Sequence, residues 1–281
     1  MKSFDFVKVL SIYETKRDSI KKYEVNNKSP EETDMILKDV HRSFGFAKKL
    51  PENKLTQLRV ILYHVLKSIP VEYVQCMSEI ASVMVYHYFK EDVDSSDEEE
   101  YDLDFENSLE DGHLKIDGDK LDLSRITITN ILKEKYEPLL DNEFEMYKHY
   151  NTIFREIMSK KGVNIPEDLS IKYMNQTLTW FIGSCSNFDD IKRIVALMLA
   201  CPTSFPFLLL IEFYDQIEAN KKITLPSDLY EQLIKLESQF LKVETKLEDS
   251  SGKLNTRNLI LLGAAVVVGI GVLCTMFKKE K

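Results

Sequence analysis

The sequence has few of the residues from which disulfide-rich domains and zinc sites are built. Its four cysteines, Cys76, Cys185, Cys201 and Cys274, form no Cys-x-x-Cys pair, so neither a disulfide framework nor a metal site is indicated. Scattered thiols fit a reducing compartment. The N-terminus has no long apolar run, so no secretory signal is visible. We therefore expect the folded part of the chain to lie in the cytosol.

The chain also lacks the positive charge that nucleic-acid-binding proteins carry. Its formal net charge is −9, and residues 91–111 hold twelve Asp or Glu and no Lys or Arg, so taking those twelve away from −9 leaves +3. The rest of the chain is therefore nearly neutral, and we expect no nucleic-acid partner. Because like charges repel, residues 91–111 are predicted to be a disordered acidic insertion.

Alternation of apolar and polar residues, the signal of a half-buried strand, is missing as well. Apolar residues recur instead at helical spacing, as they do from Leu55 to Ile69, where Pro70 ends the run. Further helices are predicted near residues 3–24, 33–46, 77–88, 126–139, 142–160, 168–183, 188–200, 206–219 and 227–248. The sequence thus predicts an all-α chain with a single domain over residues 1–248.

A long uncharged hydrophobic run is present near the C-terminus, from Leu259 to Phe277. As a helix it would be about 28 Å long, close to the roughly 30 Å of a bilayer's hydrocarbon core. Its three glycines weaken a helix in water but are common in membrane spans. We expect a transmembrane tail anchor at residues 259–277, joined to the domain by a linker at residues 249–258. A buried C-terminal helix is the alternative.

Two short motifs carry the functional signal. Residues 36–42 read Ile-Leu-Lys-Asp-Val-His-Arg, and residues 73–75 read Tyr-Val-Gln, so the arginine and the glutamine are 33 positions apart. The order Ile-x-x-Asp-x-x-Arg followed by Tyr-x-Gln resembles the catalytic core of TBC domains, the GTPase-activating proteins of Rab GTPases. Looser similarity at residues 178–181, 188–191 and 201–206 extends the resemblance over about residues 30–220. The last of these segments resembles a TBC subgroup anchored in the endoplasmic reticulum.

The resemblance implies a role for each residue of the two motifs. Arg42 and Gln75 would be the two catalytic fingers that a TBC domain inserts into the active site of its Rab. An arginine finger stabilises charge on the transferred phosphoryl group and accelerates hydrolysis by roughly 10³–10⁵, and an amide is suited to orienting the attacking water. Asp39 would hold the guanidinium, since it lies on the same helix face. Ile36 would anchor that face in the core, and Tyr73 would fix the loop that presents the glutamine.

One departure from the family pattern bears on the glutamine. Cys76 stands where the family has glycine. Glycine tolerates a positive φ and close backbone approach, so the pose of Gln75 depends on how a cysteine is accommodated there. A hydrolase with Cys76 as nucleophile and His41 or His64 as base is an alternative that no adjacent motif supports.

The resemblance predicts a Rab GTPase-activating protein that regulates vesicle transport at a membrane surface. Its partners would be a Rab-family GTPase and the lipid bilayer; GTP and Mg²⁺ would be carried by the GTPase, and the chain would need no cofactor or hydrolase activity of its own. The anchor favours the endoplasmic reticulum and is also compatible with the outer mitochondrial membrane. Two alternatives remain: a non-catalytic Rab-binding adaptor, and a tail-anchored Bcl-2-like helical regulator, whose Asn-Trp-Gly-Arg signature is absent.

Overall fold

Helices make up nearly all of the regular structure. The computed structural model describes residues 5–15, 28–95, 105, 116–166 and 170–251. Within these ranges there is no strand, and Cys185 and Ile223 form an isolated bridge. The α-helices are α1 (Phe6–Glu14), α2 (Pro30–Arg42), α3 (Glu52–Ser68), α4 (Met77–Ser95), α5 (Gly118–Ile131), α6 (Glu137–Lys160), α7 (Ser170–Leu178), α8 (Phe188–Ala200), α9 (Phe205–Glu218) and α10 (Leu229–Ser251). The all-α prediction is therefore confirmed for the described part of the chain.

Side-chain caps set the starts of several helices. The Ser29 hydroxyl accepts a hydrogen bond from the backbone N–H of Glu32, and Pro30 occupies the first turn of α2, where its missing N–H costs nothing. Asn187 caps α8 by accepting from the N–H of Asp190 at 2.9 Å. These short-range signals place both helix starts within a few residues of their predicted positions.

The core forms around α3, which packs against α2, α4 and α5. A second group of contacts joins α6, α9 and α10, and α7 packs on α9. Burial of Leu58, Leu62 and Leu66 on α3 and of Phe207 and Phe213 on α9 supplies much of the apolar contact. Full burial of such side chains stabilises a fold by roughly 1.5–3 kcal/mol each, before entropy is counted. The two motif segments are therefore carried on a packed scaffold.

The backbone departs from regular helix at two places beside this scaffold. In α6, Asn142, Glu143 and Phe144 have positive φ, so the helix is broken there. Trp180 and Phe181 also have positive φ, and both rings are almost completely buried. The helix predicted over residues 168–183 therefore ends at Leu178. A left-handed turn directs the two rings into the core, and apolar spacing alone does not distinguish such a turn from continued helix.

The structure differs from the predicted acidic insertion at the residues that it describes. α4 continues to Ser95, because Val93 is buried in the core and Lys120 pairs with Asp92 at 2.6 Å. Phe105 is also buried, with its ring centroid 6.0 Å from that of His41. The prediction of disorder was therefore wrong for residues 91–95 and 105. The other residues of the 91–111 segment lie outside the described ranges.

The C-terminal boundaries are described only in part. α10 continues to Ser251, three residues into the stretch predicted as a linker. Residues 252–258 and the predicted anchor at residues 259–277 lie outside the described part of the chain. Among the described helices, none is both long and apolar enough to cross a membrane.

Candidate functional site

The second half of α2 presents three of the residues singled out by the sequence. Ile36 is fully buried, Asp39 is 6% exposed, and Arg42 ends the helix with an exposed side chain. One face of α2 thus runs from an apolar contact in the core, through a buried carboxylate, to a guanidinium at the surface. The three residues lie on one face because they are spaced three apart, and residues three or four apart share a face of a helix.

Asp39 is the centre of a hydrogen-bonded group. Its Oδ1 lies 2.5 Å from Arg42 Nη2, and its Oδ2 accepts from the Tyr73 hydroxyl at 2.8 Å. Burial raises the pKa of Tyr73, so the hydroxyl keeps its proton and donates at all ordinary pH values. Both carboxylate oxygens are therefore satisfied, as a buried charge requires. Arg42 Nε also donates to the carbonyl oxygen of Lys38, which fixes the direction of the side chain.

The loop that carries Gln75 is tied to the start of α2. Glu32 Oε1 accepts from the backbone N–H of Tyr73 at 2.7 Å and from Lys28 Nζ at 2.6 Å. Lys28 Nζ also donates to the carbonyl oxygen of Val71. Lys28 and Glu32 were not predicted as site residues. Lys28 precedes Ser29, the N-cap of α2, so the spacing rule for helix faces indicated neither the ion pair nor the contact with the loop.

Cys76 adopts the backbone conformation that glycine would favour. Its φ is +88°, which costs a residue with a Cβ on the order of 1–3 kcal/mol. Its thiol donates to Asn175 Oδ1 across 3.4 Å. Burial, with smaller contributions from the carboxylates of Asp39 and Glu79, raises the pKa of the thiol to about 11. The thiol is therefore protonated at neutral pH, which argues against the cysteine-nucleophile alternative.

Arg42 and Gln75 line the same cleft. Its volume is about 800 Å³. The lining residues are Asp39, Arg42, Val74, Gln75, Cys76, Ser78, Glu79, Phe144, Met174, Asn175, Gln176, Leu178, Thr179, Gly183 and Ser184. One wall comes from α2, the Gln75 loop and the start of α4, and the facing wall comes from α7 and the segment after it. The structure thus brings together two residues that are 33 positions apart, and both are exposed to solvent.

Glu79 is a cleft residue that the sequence reasoning missed. It lies in the first turn of α4. Its Oε1 is close to Gly183, 3.6 Å from the position that a Cβ atom on that residue would occupy. The carboxyl group therefore reaches from α4 to the short helical turn at Ile182–Ser184. Burial, and after it the Asp39 carboxylate, raise the pKa of Glu79. Its sequence signal was weak, because a glutamate in a first helical turn is also what the helix dipole favours.

The charged residues that line the cleft differ in depth. Arg42 is the cation in the lining set, and Asp39 and Glu79 are the two acids. The Arg42 side chain is 66% exposed, whereas that of Asp39 is 7% exposed. The positive charge therefore lies at the cleft rim, and the negative charge lies deeper. Within the described residues, no group of three or more His, Cys, Asp or Glu side chains has the arrangement to hold a metal ion.

Comparison with known proteins gives a relative along the whole chain. The sequence is 32% identical over 307 aligned positions to an uncharacterized membrane protein of Encephalitozoon cuniculi (strain GB-M1), and the alignment covers all of both chains. The chain belongs to the same family as that protein. No protein-family model matches the sequence, and no solved structure matches the chain.

Proposed function

We propose that the chain is a GTPase-activating protein for a Rab-family GTPase, with Arg42 and Gln75 as the residues that it supplies to the partner's active site. The observation that carries the proposal is the shared cleft: the arginine and glutamine of two separate motifs line one cavity. The contacts of Tyr73 with Glu32 and Asp39 bring the two motifs together at this cleft. The similarity of both motifs to TBC domains supplies the reaction class.

The setting of Arg42 suits a finger that acts in trans. Its guanidinium is mostly exposed, so it reaches a phosphate carried by another protein, and Asp39 limits the orientations available before the partner arrives. A guanidinium presents a planar fork of donors to two oxygens, which lysine does not. On binding, Arg42 stabilises charge that develops on the transferred phosphoryl group. GTP and Mg²⁺ enter with the GTPase.

Gln75 has the complementary role. An amide both accepts and donates hydrogen bonds, so it holds an attacking water in line while it donates to a phosphate oxygen. The residue lies in an exposed turn before α4, and the contacts of Tyr73 with Asp39 and Glu32 anchor that turn. This support limits the motion of the loop, which is what water positioning needs.

The membrane part of the proposal has separate support. The relative in Encephalitozoon cuniculi is named a membrane protein, and residues 259–277 form an uncharged run of membrane-spanning length. We assign this run as a tail anchor that keeps residues 1–258 on the cytosolic side. By resemblance to the tail-anchored TBC subgroup, we assign the endoplasmic reticulum as the membrane, with the outer mitochondrial membrane as the alternative.

The deciding experiment is single-turnover GTP hydrolysis by each Rab of the organism, with and without the detergent-solubilised full chain. We expect one Rab, or a few related ones, to hydrolyse GTP at least 10³-fold faster with the wild-type chain. Gln75→Ala should remove most of this acceleration and leave affinity for the GTP-analogue-loaded Rab nearly unchanged. Gln239→Ala, at an exposed position of α10, is the matched control. No acceleration of any Rab would reject the proposal.

A second candidate, a Rab-binding adaptor without catalytic activity, is favoured by one observation. The Cys76 side chain occupies cleft space beside Gln75, where TBC domains have glycine. The same two assays separate the candidates. Tight binding to a loaded Rab, with no acceleration by wild type and acceleration by Cys76→Gly, would identify an adaptor whose loop geometry blocks catalysis.

A further inference from the structure

The last described helix, α10, packs on the domain through one face only. Its apolar residues lie against α6 and α9, and the rings of Phe240 and Tyr150 have centroids 5.8 Å apart. The buried apolar positions are Leu229, Leu233, Leu236, Phe240 and Val243. This spacing defines the packed side of the helix and leaves the other side to solvent.

Three lysines form a stripe along the exposed side of α10. Lys235, Lys242 and Lys246 are separated by seven and then four residues, so they lie within about 40° of one another around a helix of 3.6 residues per turn. All three are exposed, and none has an ion pair or side-chain hydrogen bond with another described residue. We call these three residues the α10 lysine stripe.

Few acids oppose this charge on the same side of the helix. Of the α10 acids whose side chains are described, Glu231 is exposed at the end farther from the tail, Glu237 is half-buried, and Glu244 is buried beside His149. Among the α10 side chains that the structure describes, the exposed charged ones therefore carry a net positive charge. Ile234, 42% exposed, lies beside the lysine stripe and adds an apolar contact at its edge.

The chain itself limits how far this stripe lies from the proposed anchor. α10 ends at Ser251, and the uncharged run begins at Leu259. Even when fully extended, the intervening residues span at most about 28 Å. They include Lys253 and Arg257, and two acids at positions 248 and 249 precede them, so the sequence between the stripe and the run carries no net charge.

We propose that the α10 lysine stripe docks on anionic lipid headgroups of the membrane that holds the tail. The inference rests on the membrane part of the proposed function and is independent of the GTPase part. Anionic headgroups attract lysines that come within a Debye length, about 8–10 Å at physiological salt. Docking fixes the rotation of the domain about its tether, so that one side of the domain consistently faces the bilayer.

The test is amine footprinting of the full chain in vesicles, read out by mass spectrometry. The chain is reconstituted in phosphatidylcholine alone, or in phosphatidylcholine mixed with phosphatidylserine, and labelled with an acetylating reagent. We expect the stripe to be labelled at least threefold more slowly in the anionic vesicles, and high salt should abolish the difference. Lys49 and Lys221, exposed lysines on other elements, are the internal controls. In Lys242→Glu, labelling of Lys235 and Lys246 in anionic vesicles should rise toward the neutral-vesicle rate.

The labelling results distinguish docking of the α10 lysine stripe from anchoring by the tail. Equal labelling of the stripe in both vesicle types, by a chain that floats with the vesicles, would overturn docking and leave the anchor standing. A chain that does not float would reject the anchor, and docking with it. Protection that appears only when a GTP-analogue-loaded Rab is added, and equally in both lipids, would overturn lipid docking and assign the stripe to a protein partner.

Discussion

Arg42 Nη2 lies 2.5 Å from Asp39 Oδ1, one helical turn away on α2, yet the two side chains are 66% and 7% exposed. Because the arginine end is mostly in water, the pair contributes little to folding stability; exposed ion pairs are typically worth less than about 1 kcal/mol. Its main effect is on orientation. A buried, hydrogen-bonded carboxylate gives the guanidinium a fixed point from which it extends into the cleft.

The first prediction concerns Arg42. If its guanidinium supplies transition-state charge, Arg42→Ala should lower the acceleration of Rab GTP hydrolysis by about 10³-fold and weaken binding of the loaded Rab far less. Arg42→Lys should restore little, because the planar fork of donors is lost. Lys38→Ala, on the same exposed face of α2, should leave the rate unchanged. Equal single-turnover rates for wild type and Arg42→Ala would contradict the catalytic role.

The second prediction concerns the support of Asp39. Tyr73→Phe removes the donor to Asp39 Oδ2 and leaves a buried carboxylate oxygen without its partner, so we expect a loss of about 1–3 kcal/mol in the free energy of unfolding. Urea denaturation followed by circular dichroism measures this loss. Tyr63→Phe is the control, since the Tyr63 hydroxyl has no hydrogen-bond partner among the described residues. A loss no larger than that of the control would show that the Tyr73 hydrogen bond is not important for stability.

Sequence periodicity predicted the helices well where packing follows a simple repeat. The predicted helix at residues 188–200 is found as Phe188–Ala200, with Asn187 as its cap. The motif pairing of Asp39 with Arg42 also followed from spacing alone. In both cases the deciding interactions lie within one or two turns, where position in sequence fixes position in space.

The sequence did not predict the contacts between segments that are far apart along the chain. Asn175 faces Cys76 only because α7 packs across the Gln75 loop, and the contact joins residues 99 positions apart. The left-handed turn at Trp180 and Phe181 is likewise stabilised by tertiary burial of both rings. Phe105 is buried beside His41 although it lies in a strongly acidic segment, and the composition of that segment gave no signal for this contact.

The third prediction tests the tail. Deletion of residues 259–281 should move the protein from the membrane fraction to the soluble fraction with its helical circular dichroism intact, because a lipid-facing span contributes no contacts to the domain. Deletion of residues 278–281 alone is the control and should leave the protein on membranes. Aggregation, or a loss of helical signal on removal of residues 259–281, would instead indicate that this segment packs in the folded domain.

The fourth prediction concerns the positive φ of Cys76. Cys76→Gly should relieve strain of about 1–3 kcal/mol, offset by the roughly 0.5–1 kcal/mol that a glycine costs in backbone entropy. The expected net result is a gain of about 1 kcal/mol in the free energy of unfolding, measured in urea. Cys185→Gly is the matched control: Cys185 is buried with φ −73°, so the same substitution should destabilise. Destabilisation by both would show that Cys76 is held without strain.

The fifth prediction concerns the pH dependence that Glu79 gives to stability. Its pKa in the folded protein is raised, first by burial and then by the Asp39 carboxylate, above the ordinary value of 4.5. Between these two pKa values the folded state binds more protons than the unfolded state, so the free energy of unfolding falls as pH rises through that window. Glu79→Gln cannot ionise. It should therefore be more stable than wild type at pH 7, and the difference should shrink below about pH 4.5, where the glutamate is neutral in both states.

Glu218 offers a control of opposite sign. Lys172 and Tyr173 donate to its carboxylate at 2.6 and 2.8 Å, and its pKa is lowered, chiefly by the hydrogen bond from Lys172. Its contribution to stability is present above the unfolded pKa and is lost as pH falls through the folded pKa. Glu218→Gln should thus be less stable than wild type at pH 7. Urea unfolding of the wild type and both variants at pH 7 and pH 4 measures the two effects. A Glu79→Gln protein that is less stable than wild type at pH 7 would mean that the ionised carboxylate is stabilised in the cleft, and that Glu79 has a charged partner there.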